Sequence, residues 1–346
     1  MGCPKKMVFG PCGGVRDDGR CELAEHPCTF LHSEPVAWSR AGVSSTDQGT
    51  VAQASPGPRS SLLATAARRP VVLTDLTVEP FAPRSVARIT RLLAGSCDAL
   101  LVGEHSSRPD LPPTSMAVAV REAGGIPWIT LTCRDRNRVV LESELAGLAV
   151  GAAADGVLTV TGDGRAQGVR AEVTQVFDLD GPRLASLAAD AGLAVAVPES
   201  PESPPEQVRP LRLRLKQGAG ASLAVLNHVS STERVAAFAQ AARAAGSTLP
   251  LIAGVAVYTD ERSARVLQNF PGLHLRTEAV DAVLGARDTF RAGVDAALAE
   301  ARALLAIPGV VGVNLSGLAS SRGVEAAAEV KAEIGRALLA DARHGV

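Results

Sequence analysis

The stretch that decides the fold runs from Thr130 to Asp163, beginning TLTCRDRNR and ending TVTGD. Each end is a short, β-branched apolar run followed by polar residues, and RVVLESELAGLAVG, with helical periodicity, lies between them. A strand, a helix and a second strand in this order predict a βαβ unit of a parallel sheet. Its polar residues then lie at the carboxyl ends of neighbouring strands, where we expect the chemistry.

The same alternation recurs along the chain, with helical segments rich in Ala, Leu and Arg between most of the strand-like runs. Eight strands alternating with helices match the size and period of a (β/α)8 TIM barrel. An open doubly wound sheet is the second interpretation, although no G-x-G-x-x-G turn supports its dinucleotide-binding version. The predicted strands are Val71–Thr77, Asp98–Glu104, Pro127–Cys133, Gly156–Asp163, Gly192–Ser200, Ala221–Asn227, Leu249–Val257 and Val310–Gly317.

The first segment carries four cysteines, Cys3, Cys12, Cys21 and Cys28, with no CxxC pair. Without a secretory leader, such a cluster favours metal ligation over disulfides. Four thiolates can hold either zinc or a four-iron cluster, and His26 or His32 could replace one of them. The alternative is that these are reduced, inert cysteines in a glycine-rich arm.

A small, polar stretch with Pro-Gly punctuation follows the cysteines and predicts a linker. The expected organisation is a Cys-rich metal-binding module at 1–41, a linker at 42–61 and the barrel at 62–346. The net charge of -1 and the 3% aromatic content argue against a nucleic-acid partner. No apolar run reaches the roughly 20 residues of a membrane span. We therefore expect a cytoplasmic protein without a membrane partner.

In a barrel, the residues after the strands form the active site. Many carboxylates at one mouth predict acid–base chemistry or recognition of a polar heterocycle. The alternative is that several, Asp135 and Glu199 above all, are helix N-caps. Asp163 lies between two glycines, which favours function there. The candidates are Asp75, Glu79, Glu104, His105, Thr132, Arg134, Asp135, Asp163, Glu199, Asn227, His228, Asn314 and Ser316.

The motifs TLTCRDRNR and TVTGD, with VFDLD soon after, resemble the methylenetetrahydrofolate reductase barrel, in particular a bacterial branch with HLTCRDRN and LTGD. The resemblance covers about Val71 to Gly317. The N-terminal CPKKMVFGPCGGVRDDGRCE resembles the cysteine-containing module that accompanies this branch at the other end of the chain or as a partner subunit. The resemblance implies a (β/α)8 barrel that acts on folate.

The resemblance also implies roles for individual residues. Asp163 matches the aspartate beside flavin and folate. The acid that protonates N10 of the folate is Asp75 if the strand register is kept, or Glu79 if the alignment follows Pro83 and Arg84. Implied flavin contacts are Thr130, Thr132, Thr161, Gly162, Asp163 and Lys216, and implied substrate contacts are Glu104, Asn227 and Asn314.

Three departures from the family pattern affect flavin contacts. Thr130 replaces the histidine of HLTC, Gly103 replaces a threonine, and PESPESPPEQ replaces the segment PEVHPEA. The expected cofactors are therefore FAD or FMN, with a flavin-free reaction as the alternative, together with NAD(P)H or a ferredoxin-type donor. At the cysteines we expect a [4Fe-4S] cluster ahead of zinc.

The resulting hypothesis is reduction of 5,10-methylenetetrahydrofolate to 5-methyltetrahydrofolate. Two alternatives are a flavin-dependent oxidoreductase acting on another C=N (imine-type) substrate and a non-redox folate-binding or methyl-transfer component. Expected partners are the folate or imine-type substrate, an electron-donor protein and, in a homo-oligomer, further copies of the chain.

Overall fold

The computed structural model describes residues 2–34, 36, 60–105, 108–164 and 172–344. Eight parallel strands pair in chain order, and β1 closes on β8, with Leu73 opposite Asn314. The predicted (β/α)8 barrel is confirmed, and the open doubly wound sheet is wrong because the sheet has no free edge. The strands are β1 Val71–Leu76, β2 Ala99–Val102, β3 Pro127–Thr132, β4 Gly156–Val160, β5 Val195–Glu199, β6 Leu223–Leu226, β7 Leu251–Tyr258 and β8 Val310–Ala319.

Helices surround the barrel, and their apolar faces pack on the outward-facing side chains of the strands. They are α1 Ser61–Ala66, α2 Pro83–Leu93, α3 Pro113–Glu122, α4 Arg138–Ala149, α5 Gly181–Asp190, α6 Arg209–Gly218, α7 Thr232–Ala244, α8 Glu261–Gln268, α9 Thr277–Leu284, α10 Thr289–Leu305 and α11 Val324–His344. Helices α8 and α9 lie between β7 and β8, ahead of the crossover helix α10.

The amino-terminal end of the barrel is closed by an apolar floor. Leu73, Trp128 and Ile252 from three strands pack there with Leu62 of α1. Trp128 is fully buried, and a Cβ at Gly156 would lie 2.6 Å from its ring, so that strand position requires glycine. The interior is therefore filled at this end, and any ligand space lies at the other end.

One carboxylate ties α1 to the floor. Asp155 accepts hydrogen bonds from Trp128 Nε1 at 3.0 Å, from Ser60 Oγ at 2.7 Å and from the backbone N–H of Ser61 at 2.8 Å. Ser60 also caps α1, since its side chain accepts from Leu63 N. Ser60 and Ser61 lie in the predicted linker but act as the start of the barrel's floor, while residues 42–59 of that linker lie outside the described residues.

The N-terminal module is built from turns. Its backbone hydrogen bonds join Cys28 N to Gly19 O, Cys21 N to His26 O and Lys6 N to Cys3 O. Met7 and Val15 are the buried large apolar side chains in its described residues. Two such side chains are too few for an independent core, so other contacts must hold the module together.

Candidate functional site

A cavity of about 570 Å³ lies at the carboxyl ends of the strands, opposite the floor. This volume is in the range of sites for drug-sized ligands. Glu79 is exposed and lies outside the cavity lining, whereas Asp75 is part of it. The predicted residues that the structure brings together around the cavity are Asp75, Glu104, Thr130, Thr132, Thr161, Gly162, Asp163, Lys216, Asn227 and Asn314.

Asp75, at the end of β1, is held by two donors from β8. Asn314 Nδ2 donates to one carboxylate oxygen at 2.9 Å, and Ser316 Oγ donates to the other at 2.8 Å. These two hydrogen bonds fix the orientation of the Asp75 carboxyl group at the cavity wall. Asn314 Oδ1 is buried and has no hydrogen-bond partner among the described residues, so it is an acceptor available to a ligand N–H.

A buried lysine from α11 lies behind Asp75. Lys331 is 1% exposed, and its Nζ donates to the backbone oxygen of Asp75 at 3.0 Å. Burial lowers the pKa of Lys331 to about 8. Sequence reasoning missed this residue because it lies inside an ordinary amphipathic helix pattern, far from any strand end.

Glu104 is engaged by its own surroundings. Its carboxylate accepts from Thr132 Oγ1 at 2.9 Å and from Arg136 Nη1 at 2.8 Å. Thr132, an expected flavin contact, therefore has its hydroxyl proton directed to Glu104. The hydrogen bond between Thr132 and Glu104 joins the ends of β2 and β3. With the Arg136–Glu104 ion pair it makes this wall of the cavity polar.

Within CRDRNR, Arg134 and not Asp135 holds the neighbouring loops together. Arg134 is 2% exposed and donates to the backbone oxygens of His105 at 3.0 Å and Asp163 at 3.3 Å. Asp135 pairs with Arg134, and Asn137 is the N-cap of α4. The alternative that Asp135 caps α4 is wrong, because the N-cap lies two residues later, at Asn137.

The end of β4 contacts the N-terminal module. Thr161 Oγ1 lies 3.3 Å from Met7 Sδ and accepts from Gly181 N at 2.9 Å. Gly162 has φ 97°, a conformation that favours glycine. Burial raises the pKa of the Asp163 carboxyl, and the cations of Lys5 and Arg134 oppose this.

A buried ion cluster lies between β5 and α6. Glu199 is 2% exposed, with Lys216 Nζ at 2.8 Å and Arg209 Nη1 at 3.4 Å. Although burial opposes ionisation, Lys216 and Arg209 lower the pKa of Glu199 to about 2. Glu199 therefore neutralises these cations and is not the N-cap of α6, which is Val208. Lys216 also donates to the backbone oxygen of Pro198.

Two residues that follow β6 have different surroundings. Asn227 Nδ2 donates to Ser200 Oγ at 2.9 Å, which positions the amide at the cavity wall. His228 has an acceptor at each ring nitrogen, Glu300 Oε1 at 2.7 Å and His274 O at 2.8 Å. Burial lowers the pKa of His228, but Glu300 outweighs this and raises it. His228 therefore fastens the loop after α8 to the barrel.

The N-terminal module forms part of the cavity lining through Lys5, Met7, Cys12, Gly13 and Gly14. The sequence gives no signal for this, because the linker separates the module from the barrel and leaves its position open. The cysteine pattern is visible in the sequence, but the surface on which the module docks is not.

The four cysteines Cys3, Cys12, Cys21 and Cys28 line one small cavity of about 20 Å³. Burial raises the pKa of Cys3 and Cys28, and the neighbouring thiols add to this, so the side chains are close to one another. His26 lines the same cavity. In the described ranges, no group of three or more His, Cys, Asp or Glu side chains has ready-made metal-ligand geometry. Four thiols match a thiolate metal site in number and chemistry, but their positions in the described structure do not form one.

Comparison with known families identifies the module. Residues 1–41 match the family described as "Methylene-tetrahydrofolate reductase C terminal", which confirms the resemblance expected for this segment. No curated protein matches the chain. Within the described ranges, no helix has the length and apolar character needed to cross a membrane.

Several solved structures align with this chain, and one of them with a TM-score above 0.5. An uncharacterized protein from Clostridium thermocellum that binds two copies of 5-methyl-5,6,7,8-tetrahydrofolic acid aligns with a TM-score of 0.58 at 14% identity, covering 80% of this chain and 98% of that one. Tryptophan synthase from M. tuberculosis aligns with a TM-score of 0.44 at 16% identity, covering 79% and 95%. Oxaloacetate acetylhydrolase aligns with a TM-score of 0.45 at 15% identity, covering 84% and 90%.

Proposed function

We propose that this protein is a folate-dependent one-carbon oxidoreductase that reduces 5,10-methylenetetrahydrofolate to 5-methyltetrahydrofolate. The observation that carries the proposal is the arrangement of Asp75, Asn314 and Ser316 in the cavity. A polar heterocycle bound in the cavity would meet the Asp75 carboxyl group and Asn314 Oδ1, an acceptor that has no partner among the described residues. The match of residues 1–41 to a methylenetetrahydrofolate reductase segment supports the same reaction.

In the proposed reaction, Asp75 in its acid form donates a proton to N10 as the bond between N10 and the bridging methylene breaks. The two hydrogen bonds from Asn314 and Ser316 stabilise the carboxylate that remains. The methylene is then an iminium on N5, and a hydride from NAD(P)H converts it to the methyl group, releasing NAD(P)+. A proton from solvent restores Asp75. The carboxylate of Asp163 stabilises the cation on N5.

The contacts of the expected flavin residues support a reaction without flavin. Lys216, expected to bind a flavin phosphate, is occupied by Glu199 and the Pro198 carbonyl. Thr161 contacts Met7 and Thr132 donates to Glu104, so both hydroxyls have protein partners. These residues do not fit the role that the resemblance gives them, and we propose direct hydride transfer from the nicotinamide. FAD, FMN and a ferredoxin-type donor then have no part in the reaction.

For the four cysteines we propose a [4Fe-4S] cluster, with zinc as the alternative. Either group carries negative charge when four thiolates bind it, and buried cations lie nearby. The side chains of Lys5 and Arg212 both interact electrostatically with Cys12. Bound there, a metal group would cross-link the turns of the module. Elemental analysis of anaerobically purified protein distinguishes iron with sulfide from zinc.

A non-redox folate-binding or methyl-transfer role is the second candidate. The similarity in fold to the Clostridium thermocellum protein, which binds 5-methyl-5,6,7,8-tetrahydrofolic acid, favours it. In this version the cavity holds reduced folate and Asp75 contacts its ring without proton transfer. The two candidates differ in whether NAD(P)H is consumed.

The test is NAD(P)H oxidation that depends on 5,10-methylenetetrahydrofolate, measured anaerobically with metal-loaded protein and no added flavin. Asp75→Asn removes the acid and is expected to lower the rate at least about 100-fold. Glu79→Gln, at the exposed alternative position, is the matched control and keeps the rate. Equal losses in both variants, or turnover only after flavin is added, would contradict the proposed mechanism. Folate binding without any NAD(P)H oxidation would favour the second candidate.

A further inference from the structure

The N-terminal module docks on the barrel through buried charged side chains of α6 and the N-cap of α5. Arg212 Nη1 donates to Phe9 O at 2.7 Å, and Arg209 Nη2 donates to Cys12 O at 3.0 Å. Asp180, the fully buried N-cap of α5, accepts from Val8 N at 3.1 Å. Backbone groups of residues 8–12 of the module thus complete the hydrogen bonding of these buried side chains, which makes the contact costly to lose.

At two glycines of the barrel, this interface leaves no room for a β-carbon. A Cβ at Gly164, just after Asp163, would lie 1.6 Å from Leu23 Cδ2 of the module. Gly164 N also donates to Glu22 Oε1 at 2.9 Å. On the other side, a Cβ at Gly272 would lie 2.6 Å from Gly13 O. Contacts this close show a fitted interface between module and barrel.

Lys5 lies at the centre of this interface. It is 3% exposed, forms an ion pair with Glu22 and lines both the large cavity and the small cysteine cavity. Asp163, at the end of β4, interacts electrostatically with Lys5. The module therefore brings a buried ammonium group beside the carboxylate that the barrel presents to the ligand.

Lys5 lies next to the cysteine cluster. Lys5 lies two residues after Cys3, in the turn closed by the hydrogen bond from Lys6 N to Cys3 O at 2.9 Å. Cys12 lines both cavities, so the four thiols and the ligand space share a wall. With few buried apolar side chains of its own, the module depends on the barrel for its shape, and a metal bound by the four cysteines would cross-link its turns.

We propose that the N-terminal module is a wall of the ligand cavity, that Lys5 is a positioning residue for Asp163, and that an intact four-cysteine site is needed for reduced folate to bind tightly. The proposal rests on the proposed function for the identity of the ligand. The module would then take a direct part in ligand binding.

The chain offers a matched pair of variants in its adjacent lysines. Lys5→Gln removes the buried ammonium, whereas Lys6→Gln removes an exposed one whose Nζ donates to Val176 O at the surface. The dissociation constant for 5-methyltetrahydrofolate is measured by equilibrium dialysis with the metal-loaded full chain. We expect about tenfold weaker binding for Lys5→Gln and less than about twofold for Lys6→Gln. In an Asp163→Asn background the effect of Lys5→Gln should fall below about threefold. Equal effects of the two lysine variants would overturn the proposal.

A second pair tests the fit of the wall without altering charge. Gly164→Ala inserts a methyl group against Leu23, and Gly218→Ala, at the end of α6 with open space around it, is the control. Amide hydrogen exchange at residues 159–164 is measured without ligand in these variants, in the lysine variants and in Cys21→Ser. Faster exchange is expected in Gly164→Ala, Lys5→Gln and Cys21→Ser and not in the controls. Unchanged exchange in all three variants would refute the proposal that the module is a wall of the cavity.

The exchange measurement also separates this inference from the proposed function. If the wild-type protein binds no folate, the proposed function fails, while the exchange rates still decide whether the module is a wall of the cavity. If folate binds and Cys21→Ser binds it as tightly as the wild type, the proposed function stands and the dependence on the cysteine site is refuted.

Discussion

The floor and the mouth of this barrel are built on opposite principles. At the floor, apolar side chains from the strands fill the interior around Trp128, and the carboxylate of Asp155 satisfies the N-terminus of α1. At the mouth, the buried groups are charged, and Glu199 and Asp163 have cations from α6 and from the module beside them. The difference teaches that apolar packing closes one end of the barrel, whereas paired buried charges surround the ligand space at the other.

The largest effect is expected at the floor. Trp128→Ala removes a fully buried indole and leaves Asp155 short of one donor. We expect the free energy of unfolding to fall by about 4 kcal/mol, because a cavity of this size does not collapse. Urea unfolding followed by circular dichroism measures it, with Val139→Ala, at a position 71% exposed, as the control. A loss below about 1 kcal/mol for Trp128→Ala would break the contrast between the two ends.

The next effect concerns the ion cluster at the mouth. Glu199→Gln leaves Lys216 and Arg209 buried without their carboxylate. We expect a loss of about 3 kcal/mol in the free energy of unfolding, since a buried charge without a partner is costly. The same urea titration measures it, and Glu142→Gln, in an exposed i,i+4 pair with Arg138, is the control. No loss at Glu199 would mean that the cluster is not buried in solution.

The pH dependence of stability is a second test of the buried ion pairs of Glu199. The pKa of Glu199 is lowered to about 2, below its value in the unfolded chain, so its ionised form stabilises the folded state. That stabilisation is fully present above about pH 5 and is lost as the pH falls through the folded-state pKa. The wild type should therefore lose about 3 kcal/mol more than Glu199→Gln between pH 5 and pH 2. Parallel curves for the two proteins would contradict the assignment.

The smallest effect is expected at the catalytic carboxyl group. Ser316→Ala removes one of the two donors to Asp75 and leaves Asn314 in place. A hydrogen bond to a charged group contributes about 1.5 to 3 kcal/mol, so the methylenetetrahydrofolate-dependent rate should fall at least about tenfold. Ser321→Ala, in the turn after β8, is the control and should leave the rate unchanged. A Ser316→Ala enzyme with wild-type activity would remove Asp75 from its proposed role.

Strand periodicity in the sequence was sufficient to predict the barrel, but not the way in which α1 closes its floor. The runs from Val71 to Gly317 alternate with helices, and that pattern alone leads to the closed sheet. The insertion of α8 and α9 before α10 was not foreseen, because each helix is only 8 residues long and gives a short pattern. Local patterns report which side chains face a core, and this information is sufficient where the core is apolar.

The mouth could be predicted only in part. Asp75 and Asn314 lie within strands and Asp163 follows one, so the strand pattern identified them, and the structure then separates Asp75 from the exposed Glu79. Lys331 and Lys5 could not be found in this way, because one lies in a helix and the other in a module whose docking depends on long-range contacts. Pairing of buried charges is a property of the assembled structure and leaves no periodic signal.

The most direct test of the central claim is a crystal structure of the metal-loaded full chain with 5-methyltetrahydrofolate. The account predicts one ligand in the cavity at the mouth, with its pterin N–H groups near Asp75 and Asn314 Oδ1 and with Lys5 of the docked module beside Asp163. A folate bound outside this cavity, or bound there with the module displaced from the barrel, would contradict it.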